Sequence, residues 1–145
     1  MLTSSSDCSI RVLAEDSSEA RTTFLIRLYD ELRDIDLKET VLRELARRDH
    51  QSAAQKVLAV AKSDREEADL RERAIRELAE DSGEATTTLL IELYDTITDS
   101  DLKETVIRQL ADRNDAKSEQ QLQAIVKSEP DRDLRATAIR HLIRR

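Results

Sequence analysis

Apolar residues recur along the chain at helical spacing, in short runs broken by polar joints. Between Glu19 and Leu32, the residues Phe24, Leu25, Leu28, Tyr29 and Leu32 form a broad stripe, and Ile26 widens it. After the joint Arg33-Asp34-Ile35 a second run begins near Asp36 and turns Leu37, Val41, Leu42 and Leu45 to one side. Continued along the chain, this alternation predicts helices of the first kind, A, over 18–32, 51–62, 83–97 and 116–127. Helices of the second kind, B, are predicted over 6–15, 35–48, 66–80, 100–113 and 131–144. Joints as short as Thr98-Asp99-Ser100 leave room only for tight helical hairpins.

The hairpins repeat in sequence. The phrase DLKETVLREL from Asp36 returns as DLRERAIREL from Asp69, DLKETVIRQL from Asp101 and DLRATAIRHL from Asp133, at spacings of 33, 32 and 32 residues. A longer phrase, RVLAEDSSEARTTFLIRLYD from Arg11, returns from Arg76 as RELAEDSGEATTTLLIELYD, an offset of 65 residues. Periods in this range mark supersecondary units that stack side by side and share one interior. The predicted organisation is one all-α domain over 1–145: a half repeat at 1–16, then repeats at 17–48, 49–81, 82–114 and 115–145. The chain opens on a B helix without an A partner, because Ser9 to Leu13 align with Ala74 to Leu78. Neither end carries the polar outer face of a capping unit, so the expectation is a segment of a longer array, or a first helix that is itself the cap.

Several joints carry helix-start signals. Asp16-Ser17-Ser18-Glu19 and Asp81-Ser82-Gly83-Glu84 each place Glu three residues after Asp, which predicts capping boxes. Pro130 is expected in a first helical turn, where a missing N–H costs nothing.

Composition narrows the class. The 145 residues contain one Gly, one Pro, 38% charged and 2% aromatic residues, which leaves little from which to build strands and turns. The net charge of −7 disfavours non-specific attraction to nucleic acid and to anionic membrane. Cys8 is the sole cysteine, so there is no internal disulfide and no thiolate metal site to expect. The N-terminus lacks the basic and apolar segments of a signal peptide, and no stretch is apolar enough to span a bilayer. The compartment is open, with the cytoplasm as the default.

The B-helix pattern Asp-Leu-(Lys/Arg)-x-x-(Ala/Val)-(Ile/Leu)-Arg-x-Leu resembles HEAT repeats, in particular the short bacterial type called PBS-lyase-like. The resemblance covers nearly the whole chain. It implies an α-solenoid of antiparallel helix pairs wound as a right-handed superhelix, with B helices lining the concave side. The tetratricopeptide pattern fits less well, since its Trp, Gly, Tyr and Pro punctuation is absent.

Two basic ladders stand out. Lys38, Arg71, Lys103 and Arg135 follow the B-helix leucine and fall within the angular range of the apolar stripe, where a charge must be paired or must reach out along its stem. The resemblance implies that they tether turn carboxylates or carbonyls, with Asp34, Asp99 and Asp131 as candidate partners. Arg11, Arg43, Arg76, Arg108 and Arg140 form the second ladder, at one equivalent position pointing away from the stripe. Two roles are open to it: recognition of carboxylates or phosphates by the planar guanidinium fork, or solvated pairing with Asp7, Glu39, Glu72 and Glu104 four residues earlier.

Little points to catalysis. His50 and His141 belong to no spaced metal set, and His50-Gln51 and His141-Leu142 lack the His-Glu step of HEAT-like hydroxylases. Cys8 aligns with Arg73, a polar position, and Gly83 alone builds no phosphate loop. HEAT-like DNA glycosylases use a basic groove and aromatic residues; here Phe24, Tyr29 and Tyr94 all fall on stripes that read as core. A basic cluster (Arg132, Arg135, Arg140, Arg144, Arg145) does mark the C-terminal segment. The expected function is a non-catalytic scaffold that needs no cofactor and binds a protein or peptide, with an acidic one favoured by the arginines. Self-assembly into homo-oligomers is the alternative, and nucleic-acid binding a weaker third.

Overall fold

The computed structural model describes residues 18–144, and every regular element among them is a helix. The first, α1, runs through 18–31. It is followed by α2 (Ile35–Ala46), α3 (Gln51–Lys62), α4 (Ala68–Ala79), α5 (Glu84–Thr96), α6 (Ser100–Ala111), α7 (Ala116–Ser128) and α8 (Arg132–Arg144). The expected helix over 6–15, with Cys8 and Arg11, lies outside the described residues, as does the Asp16-Ser17 half of the first expected cap. Two compact units divide the chain between Val57 and Leu58, within α3.

In the second unit the hairpins stack in two layers. The B helices α4, α6 and α8 pack in succession, α5 packs on α7, and each hairpin closes on itself through α5 with α6 and α7 with α8. The interior is aliphatic: Leu70, Ile75, Leu90, Leu93, Ile97, Ile107, Leu110 and Leu122 are fully buried. In the first unit Tyr29, Leu42, Leu45, Ala53 and Val57 are buried, and Lys56 of α3 reaches Asp30 of α1 at 2.7 Å.

Aspartates start the B helices. Asp34 accepts from the N–H groups of Asp36 and Leu37, Asp99 from those of Asp101 and Leu102, and Asp131 from those of Asp133 and Leu134. Their carboxylates satisfy helix donors. Asp81 is also not a capping-box residue. Gly83 is the N-cap of α5 and makes no side-chain cap, while Asp81 Oδ1 accepts from Gly83 N at 2.8 Å and closes the joint. Pro130 lies ahead of Asp131 and outside α8, not in its first turn.

Two core assignments also change. Phe24 is 62% exposed, because at 100° per residue it stands roughly 90° from the centre of the stripe formed by Leu25, Leu28, Tyr29 and Leu32. Leu37 is 51% exposed, although Leu70, Leu102 and Leu134 at the same repeat position are buried.

Candidate functional site

The outward ladder is present where the second unit can be followed. Arg76, Arg108 and Arg140 are exposed and occupy the same repeat position on α4, α6 and α8, helices that neighbour one another in sequence of packing. Arg43 holds that position on α2 in the first unit and is half-buried; Arg11 lies outside the described residues. Arg76 donates to Glu72 and Arg108 to Glu104, each at 2.6 Å, so the intrahelical pairs form. Arg140 has Ala136 in place of the acid and donates instead to the Thr137 hydroxyl at 3.1 Å. Each guanidinium carries five donors, and these bonds use only a fraction of them.

The field around the last two rungs is positive. Burial first, then the charges of Arg108 and Arg144, hold His141 below the ordinary histidine value; Arg140 adds to this and Asp112 opposes it.

The inward ladder works differently in alternate repeats. Lys38 stands 4.8 Å above the Tyr29 ring and Lys103 4.9 Å above the Tyr94 ring, contacts that let an ammonium sit against apolar surface. Arg71 instead donates to the carbonyl of Ala61 at 3.1 Å, and Arg135 to that of Val126 at 3.0 Å. Lysines follow the A helices that carry tyrosine, and arginines follow those that do not. Arg71 is buried, 3.7 Å from Asp64, and its Nη2 has no protein partner. Near Lys103, the Tyr94 hydroxyl donates to Glu129. Burial, followed by the hydrogen bond to Glu129 and its charge, drives the phenol far above its usual range, so it remains a neutral donor.

One network was not anticipated from the sequence. Arg113 is buried beyond the end of α6 and donates to the Thr87 hydroxyl at 2.6 Å and to the carbonyls of Ala79, Asp81 and Gly83 at 3.2, 2.8 and 2.6 Å. Thr87 in turn donates to Asp115, the N-cap of α7. Sixty-five residues earlier, Arg48 donates to Thr22 at 2.6 Å and to the Ser18 carbonyl at 2.9 Å, and His50 stands at the place of Asp115, 2.7 Å from Thr22. The available signal was the recurrence of Thr22 and Arg48 as Thr87 and Arg113, 65 residues apart. α2, α4 and α6 end at one repeat position, Ala46, Ala79 and Ala111, ahead of the expected 48, 80 and 113.

A polar hollow of about 480 Å³ adjoins Arg113 and is lined by Glu80, Ser82, Gln109, Asp112 and Asn114 among others. Among the described residues no group of three His, Cys, Asp or Glu side chains could hold a metal ion, and no helix is long and apolar enough to cross a membrane.

A family model for HEAT repeats matches residues 63–143. The chain belongs to the HEAT-repeat family. A search of curated proteins gave no match. The HEAT assignment accounts for the all-α, solenoid-type layering of the second unit, in which each hairpin leaves apolar faces for its neighbours to cover.

Proposed function

We propose that this HEAT-repeat chain is a non-catalytic scaffold that binds an extended acidic segment of a partner protein across α4, α6 and α8. HEAT repeats serve in general as protein-interaction scaffolds. The observation that carries the reading is the return of an exposed arginine at one position of three successively packed helices. Packed helices lie about 8–10 Å apart, and a chain in the polyproline II conformation advances about 3.1 Å per residue with three residues per turn. Carboxylates three residues apart therefore match the spacing of the rungs. Glu72 and Glu104 hold Arg76 and Arg108 in place and leave donors for a ligand, and a preformed row lowers the ordering cost of association.

The test is a peptide with an acidic residue at every third position, titrated by fluorescence anisotropy. Changing Arg76, Arg108 and Arg140 together to Glu should abolish binding and leave the circular dichroism spectrum unchanged. Retained binding, or loss of helicity, would remove the reading.

Self-assembly has one observation of its own. Ile139 is 40% exposed although Ile75 and Ile107 at the same repeat position are fully buried, and Ile143 beyond it is also exposed. Light scattering across a concentration series decides that reading: a constant monomer mass excludes it.

A further inference from the structure

Two B helices, α2 and α8, each leave uncovered an apolar position that the others bury. The B-helix leucine is buried at Leu70, Leu102 and Leu134 but 51% exposed at Leu37. The B-helix isoleucine is fully buried at Ile75 and Ile107 but 40% exposed at Ile139. Each of these two helices also adds an isoleucine. Ile35 stands where α4, α6 and α8 carry Ala68, Ser100 and Arg132, and Ile143 stands where α2, α4 and α6 carry Ala46, Ala79 and Ala111. Both are exposed, Ile143 at 79%. Polar residues there would keep such faces in water; isoleucines enlarge the apolar surface instead.

The two faces match a contact already made within the chain. Leu25, Leu28, Leu32, Leu37 and Val41 wall an apolar cleft of about 280 Å³ between α1 and α2. Sixty-five residues on, the same positions are Leu90, Leu93, Ile97, Leu102 and Val106, all buried. The helix α4, with its buried Ile75, packs against both α5 and α6, which carry them. On α8, Ile139 holds the position of Ile75 and stays uncovered. We propose that the α1–α2 cleft receives α8 of a second copy of this chain, as α5 and α6 receive α4 within one copy.

The inference rests on the self-assembly reading and names its two faces. Charge favours this pairing over α8 on α8. The four arginines of α8 are opposed by Asp133 alone, whereas α1 and α2 together carry six carboxylates against four bases. The contact is heterologous: a copy whose cleft is filled still offers its own α8, so assembly continues past the dimer.

The test uses the full chain and two variants, Leu37→Lys and the double variant Ile139→Asp, Ile143→Asp. Each places on one face a charge that the other face repels, and all three side chains are exposed, so circular dichroism should not change. By light scattering, the mass of the unaltered chain should rise past a dimer with concentration, while each variant alone should stay monomeric. An equimolar mixture of the two should form a dimer and stop there, because one sound cleft then meets one sound α8. A mixture that stays monomeric, or a single variant that still assembles, would overturn the proposal and leave self-assembly through another surface standing. An unaltered chain that is monomeric at every concentration would remove both. Amide hydrogen exchange of the unaltered chain needs no variant to fold. At ten times the concentration of half-assembly, exchange in α2 and α8 should slow together by about tenfold. Slowing in α8 alone would overturn the proposal, since α8 would then pair with itself.

Discussion

The guanidinium of Arg113 and the hydroxyl of Thr87 meet at 2.6 Å, and that hydroxyl passes its own proton toward Asp115. A buried cation is thereby joined to a helix-capping carboxylate through one side chain, while its remaining donors close three carbonyls of the α4–α5 joint. Thr87→Val keeps the shape and removes the relay. It should destabilise the protein by about 1–3 kcal/mol, the usual cost of a buried polar group left without its partner. Thr87→Ser should recover most of the loss. Urea denaturation followed by circular dichroism measures both.

His50 occupies the place that Asp115 fills in the second unit, against the same Arg–Thr pair. His50→Asp should turn a contact between two ring-and-hydroxyl groups into a charge-assisted one and raise stability by about 1 kcal/mol, given that Arg48 is only half-buried. The reverse exchange, Asp115→His, should lower it. Hydrogen exchange resolved by segment would place each effect in its own unit, and a gain absent from α1 and α2 would contradict the equivalence.

Two groups set the acid limb of the stability curve. Burial and neighbouring arginines depress His141, so below about pH 6.5, the ordinary histidine value, the unfolded chain takes up a proton that the folded chain refuses. The stability it contributes is complete above that value and is lost as pH falls through the folded one. Asp115 follows at lower pH. Burial works to raise it, but the Ser118 N–H, the Thr87 and Ser118 hydroxyls and the Arg113 charge outweigh burial and bring it below the ordinary carboxylate value. Its contribution is present above about pH 3.9 and disappears as pH falls through the folded value. Urea midpoints against pH should therefore show two steps. His141→Gln should remove the upper one and Asp115→Asn the lower.

The lysines over tyrosine differ in their support. Lys103 lies 4.9 Å from the Tyr94 ring and 4.0 Å from Glu129, so Lys103→Ala should lower stability by about 1–2 kcal/mol. Lys38→Ala should cost less, because Lys56 also stands over the Tyr29 ring, at 5.1 Å. Thermal unfolding of the two variants compares them, and an unchanged midpoint for Lys103→Ala would end its assignment as a tether.

The helices and their order were legible because Leu, Ile and Val recur at a fixed angular position in four copies of one phrase. The outward position of Arg76, Arg108 and Arg140 followed from that same geometry. What spacing could not supply was the partner of each inward charge. Asp99 is near Lys103 in sequence, yet its carboxylate caps α6, and the lysine lies instead over a ring nine residues earlier. The Arg113 network was hidden for a similar reason. It joins residues 26 to 34 apart, across a turn whose path only the folded backbone defines. Phe24 was misjudged because hydrophobicity was allowed to outweigh its angle on the helix.

The alternation of lysine on tyrosine with arginine on carbonyl has a consequence for how such a chain can grow or shrink. Each cation meets its partner inside its own hairpin, Lys38 and Lys103 on the tyrosines and Arg71 and Arg135 on the carbonyls of the A helix just before. A whole hairpin can therefore be gained or lost without parting any of these pairs, whereas exchanging a single helix between neighbouring hairpins would leave a lysine without its ring.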